Sequence, residues 1–277
     1  LSVAVMLFGR EINGSKRWLA LGPFSFQPSE FAKVALILFL ADLVTKNVKT
    51  IGKMWTLCRI MFWILPIVGL VGASNLSTAI IILGIGVILI FVASPKYAQF
   101  ALMGIAGACF MGIFLALESY RLERLAIWRN PEKYEKGYQT LQGLYAIGSG
   151  GVFGVGIGNS VQKLGFVPEA QNDMIFSIIC EELGIFGGII VLLLYGYLLY
   201  RLFFIAQNAP DMFGSLMVSG IFIHIALQVI LNIAVVVNLM PNTGVTLPFI
   251  SYGGTSIVFL MAEMGLALSV ARRIKFE

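Results

Sequence analysis

The sequence predicts an all-α fold, a polytopic bundle of transmembrane helices with one long extracellular loop. Of its 277 residues, 58% are hydrophobic and only 12% are charged, whereas soluble domains carry about 25% charged residues. The apolar runs are long and do not alternate, unlike the short alternating strands of a membrane barrel. Because the bilayer core offers no water to backbone polar groups, such runs must form helices.

About eight apolar segments are predicted to be membrane helices. They are residues 1–9 (partial), 29–45, 60–73, 77–93, 98–117, 174–204, 213–239 and 254–271. The third is short, and Pro66 and Gly69 are expected to break it. The sixth exceeds the roughly 20 residues that a span needs, so it should tilt or project from the bilayer. No soluble domain is visible, and residues 1–277 are predicted to form a single integral membrane domain.

The connection over residues 118–173 is long, polar and rich in glycine, and loops of this length are usually functional or disordered. Lys and Arg in the short connections favour a cytoplasmic C-terminus, which makes this loop external. Its own basic residues oppose that signal. Either they serve an anionic ligand, or they pair with the glutamates of the loop on a solvated face. Residues 138–147 could form a short interfacial helix.

Asp173 lies directly before the sixth segment, on one helical face with Ser177 and Glu181. The helix dipole would lower its pKa, and burial would raise it. A general base must be ionised and still basic, so a balance of the two suits that role. From position alone, a plain helix N-cap is the favoured alternative. Glu181 and Glu182 lie about 12 Å further along the helix and are interpreted as structural acids facing the bundle.

The stretch NGSKRWLALGPFSFQPSEFAK combines a turn at Asn13-Gly14 with Trp18 as a membrane-interface anchor. Glu30 and Lys33 follow at a spacing of three residues, so they can pair on one helical face. A structural ion pair and a ligand contact both fit this pattern.

The stretch NLMPNTGVTLPFISYGGTS, residues 238–256, is broken by proline and glycine at a helix end. Irregular backbone at membrane depth persists only where it is buried in protein or lines a wet cavity. Gly253-Gly254 would leave the first amides of the last helix accessible to a phosphate. The alternative, favoured without further context, is a tight re-entrant turn.

Other polar or glycine-rich patterns carry weaker signals. The glycines of residues 148–158 are not a P-loop, because no strand precedes them and no Gly-Lys-Ser/Thr follows. His224, Gln228 and Asn232 form a polar stripe that interhelical hydrogen bonding explains. No metal site is predicted, since the single His and the cysteines lack ligand spacing. The cysteines are Cys58, Cys109 and Cys180.

Three motifs resemble, in order, signatures of the SEDS family, which includes FtsW, RodA and SpoVE: NGSKRWLALGPFSFQPSEFAK, GVGIGNSVQKLGFVPEAQNDMIFSIICEELG and PNTGVTLPFISYGGTS. The resemblance covers essentially the whole chain, and GNSVQKL is closer to the FtsW/SpoVE branch. The family has ten membrane helices, which would place Leu1 in the third of an N-terminally truncated chain. Two stretches depart from the family pattern. Ser74-Asn75 lacks its proline and acid, and Gln171-Asn172 replaces its common His-Thr pair.

The resemblance implies a peptidoglycan glycosyltransferase that polymerises lipid II, an undecaprenyl-diphosphate-linked disaccharide peptide, outside the bacterial cytoplasmic membrane. Asp173 matches the family's essential aspartate, the implied general base, and undecaprenyl diphosphate is the leaving group. The substrate-binding candidates are Arg17, Glu30, Lys33, Arg121, Arg124, Lys163, Ser251, Gly253 and Gly254. No cofactor is certain, although a divalent cation (Mg²⁺ or Mn²⁺) could assist. Expected partners are lipid II, a class B penicillin-binding transpeptidase, division or sporulation proteins and membrane lipid, but no nucleic acid.

Two other functions remain open, a lipid II flippase and a scaffold for the transpeptidase. A flippase needs alternating access and an anion path through the membrane, but no base at the outer face. Charges gather at the predicted external ends, in residues 10–33, 118–173 and 238–254, which favours chemistry there. A scaffold would not need Asp173.

Overall fold

The structure is a computed structural model, and it describes residue 5 and residues 10–12, 15–21, 24–94, 96–101, 103–105, 107 and 125–275. Over these residues the chain is mainly helical, which confirms the predicted fold class. Two predicted segments lie largely outside the described residues. Segment 1–9 is described at residue 5 alone, and segment 98–117 is described only as far as residue 107, where its described residues are helical.

A small antiparallel sheet precedes the first long helix, and the sequence did not predict it. Its strands are β1 (Arg10–Ile12), β2 (Ser15–Leu21) and β3 (Phe24–Phe26), in the order β1-β2-β3. The predicted turn at Asn13-Gly14 lies outside the described residues, and the strands on either side of it pair with each other. β1 and β3 have three residues each, too few for alternating hydrophobicity to reveal them, and the seven residues of β2, SKRWLAL, do not alternate.

Seven α-helices have defined bounds in the described part of the chain. They are α1 (Pro28–Asn47), α2 (Met54–Ser74), α3 (Leu76–Ala93), α4 (Tyr138–Gly150), α5 (Ile175–Gln207), α6 (Met212–Val236) and α7 (Gly254–Ala271). Three short 3-10 helices cover Pro131–Lys133, Glu135–Gly137 and Gln162–Leu164. Helix α4 confirms the short helix predicted within the long loop.

Within the described residues, five helices are long and apolar enough to cross a membrane: α2, α3, α5, α6 and α7. Helix α1 has a comparable length of 20 residues, but it carries Glu30, Lys33 and Asp42. Its Pro28 occupies the first turn, where a missing amide donor breaks no intrahelical bond.

The third predicted segment is corrected by the structure, because α2 runs unbroken for 21 residues with Pro66 inside it. A proline inside a helix removes one hydrogen bond and favours a kink, but here the helix continues on both sides of Pro66. Helix α2 ends at a tight joint with α3, where the Asn75 side chain accepts a hydrogen bond from the Thr78 amide at 3.3 Å. Ile64 of α2 then packs against Gly86 of α3.

The sixth predicted segment corresponds to α5, which is as long as expected but is not one regular helix. Gly184 has φ 70° and ψ −172°, which interrupts the helix between residues 183 and 185. A positive φ of this kind is accessible to glycine at little cost. Helix α5 therefore consists of a short N-terminal part, residues 175–183, and a long part, residues 185–207.

The chain divides into two compact units. The first comprises residues 1–100, 199–227 and 253–277, and the second comprises residues 101–198 and 228–252. The first unit holds the sheet and α1 to α3 around a core that includes Ile37, Leu40 and Ile82. The second holds α4, residues 175–198 of α5 and the segment that follows α6. Helices α5 and α6 contribute residues to both units.

Candidate active site

Asp173 lies in the turn immediately before α5, and its side chain is buried with 8% exposure. The Gln139 amide of α4 donates to Asp173 Oδ1 across 3.3 Å. The Asn232 amide of α6 donates to the Asp173 backbone carbonyl at 2.8 Å and to the Val245 carbonyl at 2.7 Å. Both the side chain and the backbone of Asp173 are therefore held in place.

The orientation of the Gln139 amide is fixed by its other contacts. Asn242 donates to Gln139 Oε1 at 2.8 Å, and Gln139 Nε2 also donates to the Pro168 carbonyl at 3.1 Å. A carbonyl oxygen can only accept, so the amide nitrogen must face Pro168 and, with it, Asp173. Gln139 thus presents a donor to the carboxylate, and such a donor stabilises the ionised form.

The segment between α6 and α7 supports the backbone just before Asp173. The Ser251 hydroxyl donates to the Asn172 carbonyl at 2.6 Å, and the Tyr252 amide donates to the Gln171 carbonyl at 2.8 Å. The buried Tyr195 hydroxyl donates to the Pro248 carbonyl. The irregular backbone predicted here is therefore bonded to protein, and its contacts position residues 171–173.

Burial raises the pKa of the Asp173 carboxyl from 3.8 to about 6. Its own backbone amide acts in the opposite direction, the nearby Glu169 carboxylate adds to the rise, and the Gln139 amide lowers it. At neutral pH such a group is mostly ionised and is more basic than an ordinary aspartate. That combination suits a general base, and a perturbed pKa of this kind is common in active sites.

Glu181 and Glu182, the other two acids of this segment, have specific partners. Buried Glu181 accepts the Ser160 hydroxyl and the Val161 amide, the latter at 3.1 Å. Glu182 forms an ion pair with Lys163, with 2.6 Å between Nζ and Oε1. Lys163, a predicted substrate ligand, is thus engaged with α5, and its role towards substrate stays a prediction.

Glycines of the long loop close against the interruption in α5. The Val155 amide donates to the Glu181 carbonyl at 2.9 Å, and the Ile185 amide donates to the Gly151 carbonyl at 2.9 Å. A Cβ added at Gly154 would stand 2.1 Å from the Glu182 carbonyl, closer than real contacts allow. Sequence reasoning missed this pairing, although the glycine cluster and Gly184 were its visible signals.

A second polar cluster lies in the first unit. Lys33 and Glu30 of α1 pair at 2.9 Å with almost no exposure, as their spacing predicted, and the Ser256 hydroxyl donates to Glu30. His224 of α6 lies 2.9 Å from both carboxylate oxygens of Glu263 in α7. Buried charges in membrane helices are tolerated when they are paired in this way.

The polar stripe of α6 bonds as predicted at His224, which contacts another helix. The other two members bond to the irregular segment after α6 instead. Gln228 donates to the Thr246 carbonyl at 3.0 Å, and Asn232 holds Val245 and Asp173.

The remaining predicted ligand residues are Arg17, Arg121, Arg124, Gly253 and Gly254. Arg17 lies in β2, while Arg121 and Arg124 lie outside the described residues. Helix α7 begins at Gly254, and Gly253 before it makes no side-chain capping bond. In the described ranges, no group of three His, Cys, Asp or Glu side chains could hold a metal ion.

The fold and this site define an integral membrane protein with several spanning helices and a buried carboxylate before one of them. A family model described as cell cycle protein, for FtsW, RodA and SpoVE, matches residues 1–275. The chain belongs to this family.

Relatives and solved structures agree with that membership. Stage V sporulation protein E of Bacillus subtilis (strain 168) is 42% identical over 275 residues, covering 95% of this chain and 73% of the relative. A probable peptidoglycan glycosyltransferase FtsW of Thioalkalivibrio sulfidiphilus (strain HL-EbGR7) is 38% identical over 276 residues, covering 95% and 68%.

Solved structures also match over the whole length of this chain. The Thermus thermophilus rod shape determining protein RodA matches with a TM-score of 0.70 at 31% identity, over 75% of that chain. A chain from the structure "Structural coordination of polymerization and crosslinking by a peptidoglycan synthase complex" matches with a TM-score of 0.85 at 32% identity, over 79% of that chain.

Proposed function

We propose that this chain is a peptidoglycan glycosyltransferase that polymerises lipid II at the outer face of the bacterial cytoplasmic membrane. The observation that carries the proposal is Asp173. Its buried carboxyl has a pKa of about 6 and accepts a hydrogen bond from the Gln139 amide, and its backbone carbonyl is held by the Asn232 amide. Relatives at 38% identity are named as probable enzymes of this class.

In this reaction the 4-hydroxyl of the acceptor sugar attacks the anomeric carbon of the donor. Asp173 accepts the hydroxyl proton as the new carbon–oxygen bond forms. The bond from the anomeric carbon to the diphosphate breaks, and undecaprenyl diphosphate leaves with the bonding electron pair. An in-line displacement inverts the donor linkage from α to β. Asp173 then releases its proton to solvent.

The departing diphosphate gains negative charge, so cations and amide donors near it would lower the barrier. Arg17, Arg121 and Arg124 are proposed for this role, together with the start of α7 at Gly253-Gly254. The other proposed contacts are Lys33, Lys163, Glu30 and Ser251. Because Lys33 and Lys163 pair with glutamates, each would have to share its charge with the diphosphate. A divalent cation bound to the diphosphate could supplement them.

The proposed partners follow from the same reaction. A new glycan strand must be crosslinked, and a structural relative belongs to a complex that coordinates polymerisation and crosslinking. We therefore propose a class B penicillin-binding transpeptidase as partner, in division or sporulation. The whole chain, 1–277, would act as one multi-pass membrane domain, with the long loop and Asp173 on the external side.

The test is polymerisation of purified lipid II by the protein reconstituted with its transpeptidase. Asp173→Ala should abolish polymer while leaving folding and partner binding intact. Glu132→Gln is the matched control, because it removes an exposed carboxylate from the same long loop without altering a group that acts on Asp173, and it should keep activity. Full polymer yield from Asp173→Ala would overturn the role of Asp173 as base. Lipid II translocation without polymer from the wild type would favour a flippase, and partner binding alone would favour a scaffold.

A further inference from the structure

Residues 151–157, called here the glycine loop, expose large apolar side chains although they belong to a loop predicted to be external. Phe153 and Ile157 are 80% and 81% exposed, and Val152 and Val155 are also exposed. Scattered apolar side chains are normal on a protein surface, but a contiguous group marks an interaction surface.

The glycine loop is fastened to α5 at its interruption. The Gly156 amide donates to the Glu182 carbonyl at 3.0 Å, and the Phe186 amide donates to the Val152 carbonyl at 3.1 Å. Together with the bonds of the Val155 and Ile185 amides, these bonds join the glycine loop to backbone groups on both sides of Gly184. The glycine loop therefore lies at the level of Gly184 along α5, and its apolar side chains are carried at that level.

The length of α5 sets that level relative to the bilayer. Residues 185–207 form a helix of roughly 34 Å at 1.5 Å per residue, which by itself spans a hydrocarbon core of about 30 Å. Gly184 then falls at the outer boundary of the core. The N-terminal part of α5, residues 175–183, lies beyond Gly184 and is ~13 Å long.

The apolar surface continues from the glycine loop onto α5. The ring of Phe153 packs against that of Phe186, with 6.4 Å between their centroids. Phe186, Ile189 and Leu193 are exposed along the long part of α5, the surface that a membrane-spanning helix turns towards lipid. We propose that the glycine loop inserts Val152, Phe153, Val155 and Ile157 into the outer leaflet, where they contact lipid acyl chains.

Spin labelling measures this insertion without relying on activity. In a background with Cys58, Cys109 and Cys180 replaced by alanine, F153C and I157C are labelled with a nitroxide in phosphatidylethanolamine/phosphatidylglycerol nanodiscs. Collision rates with oxygen, which concentrates in lipid, and with a nickel chelate, which stays in water, are compared. L193C is the lipid control, and E132C, at an exposed position in a 3-10 helix, is the water control.

Both loop labels should give an oxygen-to-nickel ratio several-fold above that of E132C and close to that of L193C. Because Phe153 and Ile157 are exposed, their substitution removes few contacts, and unchanged elution and melting verify the fold. A ratio equal to that of E132C would overturn the proposal. A second result would overturn it too: labels that match E132C in the protein alone and become shielded from both reagents when the transpeptidase is added. In that case the partner protein, and not lipid, covers the surface.

Discussion

Asp173 and Glu181 lie eight residues apart, both buried, yet their surroundings differ. Glu181 accepts a hydroxyl and a backbone amide from the Ser160–Val161 turn, so its charge is compensated where it is buried. In the described structure, the one side-chain donor to Asp173 is the Gln139 amide, at the long distance of 3.3 Å. The pKa of the Asp173 carboxyl is raised to about 6. A buried carboxylate with several hydrogen-bond donors stabilises structure, whereas a buried carboxylate with few donors keeps a high affinity for a proton.

The largest expected effect comes from replacing each acid by its amide. Asp173→Asn removes the proton acceptor while keeping shape, so lipid II polymerisation should fall at least ~100-fold. Glu181→Gln keeps an acceptor for Ser160 and should leave the rate per folded molecule within a few-fold. Initial rates on equal amounts of folded protein test this. Equal losses in both variants would contradict the distinction.

Stability should respond in the opposite sense. Glu181→Ala leaves buried donors without an acceptor and should lower the free energy of unfolding by about 3 kcal/mol. Asp173→Asn should melt no lower than wild type at pH 7. Because burial raises the pKa of Asp173 from 3.8 to about 6, the folded state binds the proton more tightly, and stability falls as pH rises through that window. Thermal melts at pH 7 in the same detergent distinguish the two variants, and a clear drop for Asp173→Asn would contradict the uncompensated charge.

The pH profile of polymerisation should show the titration of Asp173. Protonated Asp173 cannot accept a proton, so kcat/KM should rise to a plateau with a midpoint near the pKa of about 6. At pH 5 it should be about tenfold below the plateau. A midpoint near 4 would mean that Asp173 is not buried during turnover. Melting measured at each pH controls for unfolding.

The smallest effect is expected at Gln139. Its amide stabilises ionised Asp173, so Gln139→Leu should move the midpoint of the pH profile upward and reduce the rate at pH 7 a few-fold. Asn242→Val removes the contact that orients Gln139 and should shift the midpoint in the same direction by less. An unchanged midpoint in Gln139→Leu, with a lower plateau, would assign Gln139 a merely structural role.

The sequence predicted features that depend on local pattern. Apolar length located most of the helices, the spacing of Glu30 and Lys33 predicted their pair, and the position of Asp173 marked the candidate base. The pairing of residues 151–156 with the backbone around Gly184 was not predicted. Hydrophobic periodicity indicates a helix, but it does not indicate where a distant segment of the chain interrupts that helix.

The partners of Asp173 were not predicted for a similar reason. Gln139 lies 34 residues from Asp173, and Asn242 lies 103 residues from Gln139. Single-sequence patterns carry little information about which distant polar side chains meet. Residues 238–256 did signal irregular backbone, but not that this backbone would support residues 171–173.

The bond from Ser251 to the Asn172 carbonyl has a consequence for biosynthesis. It joins residues 79 positions apart, and the ribosome adds residues at only about 5–20 per second. For several seconds after Asp173 is made, its supporting segment does not yet exist. The candidate base would therefore lack this support until residue 251 has been synthesised, so a chain that terminates before residue 251 would carry Asp173 without the segment that supports it.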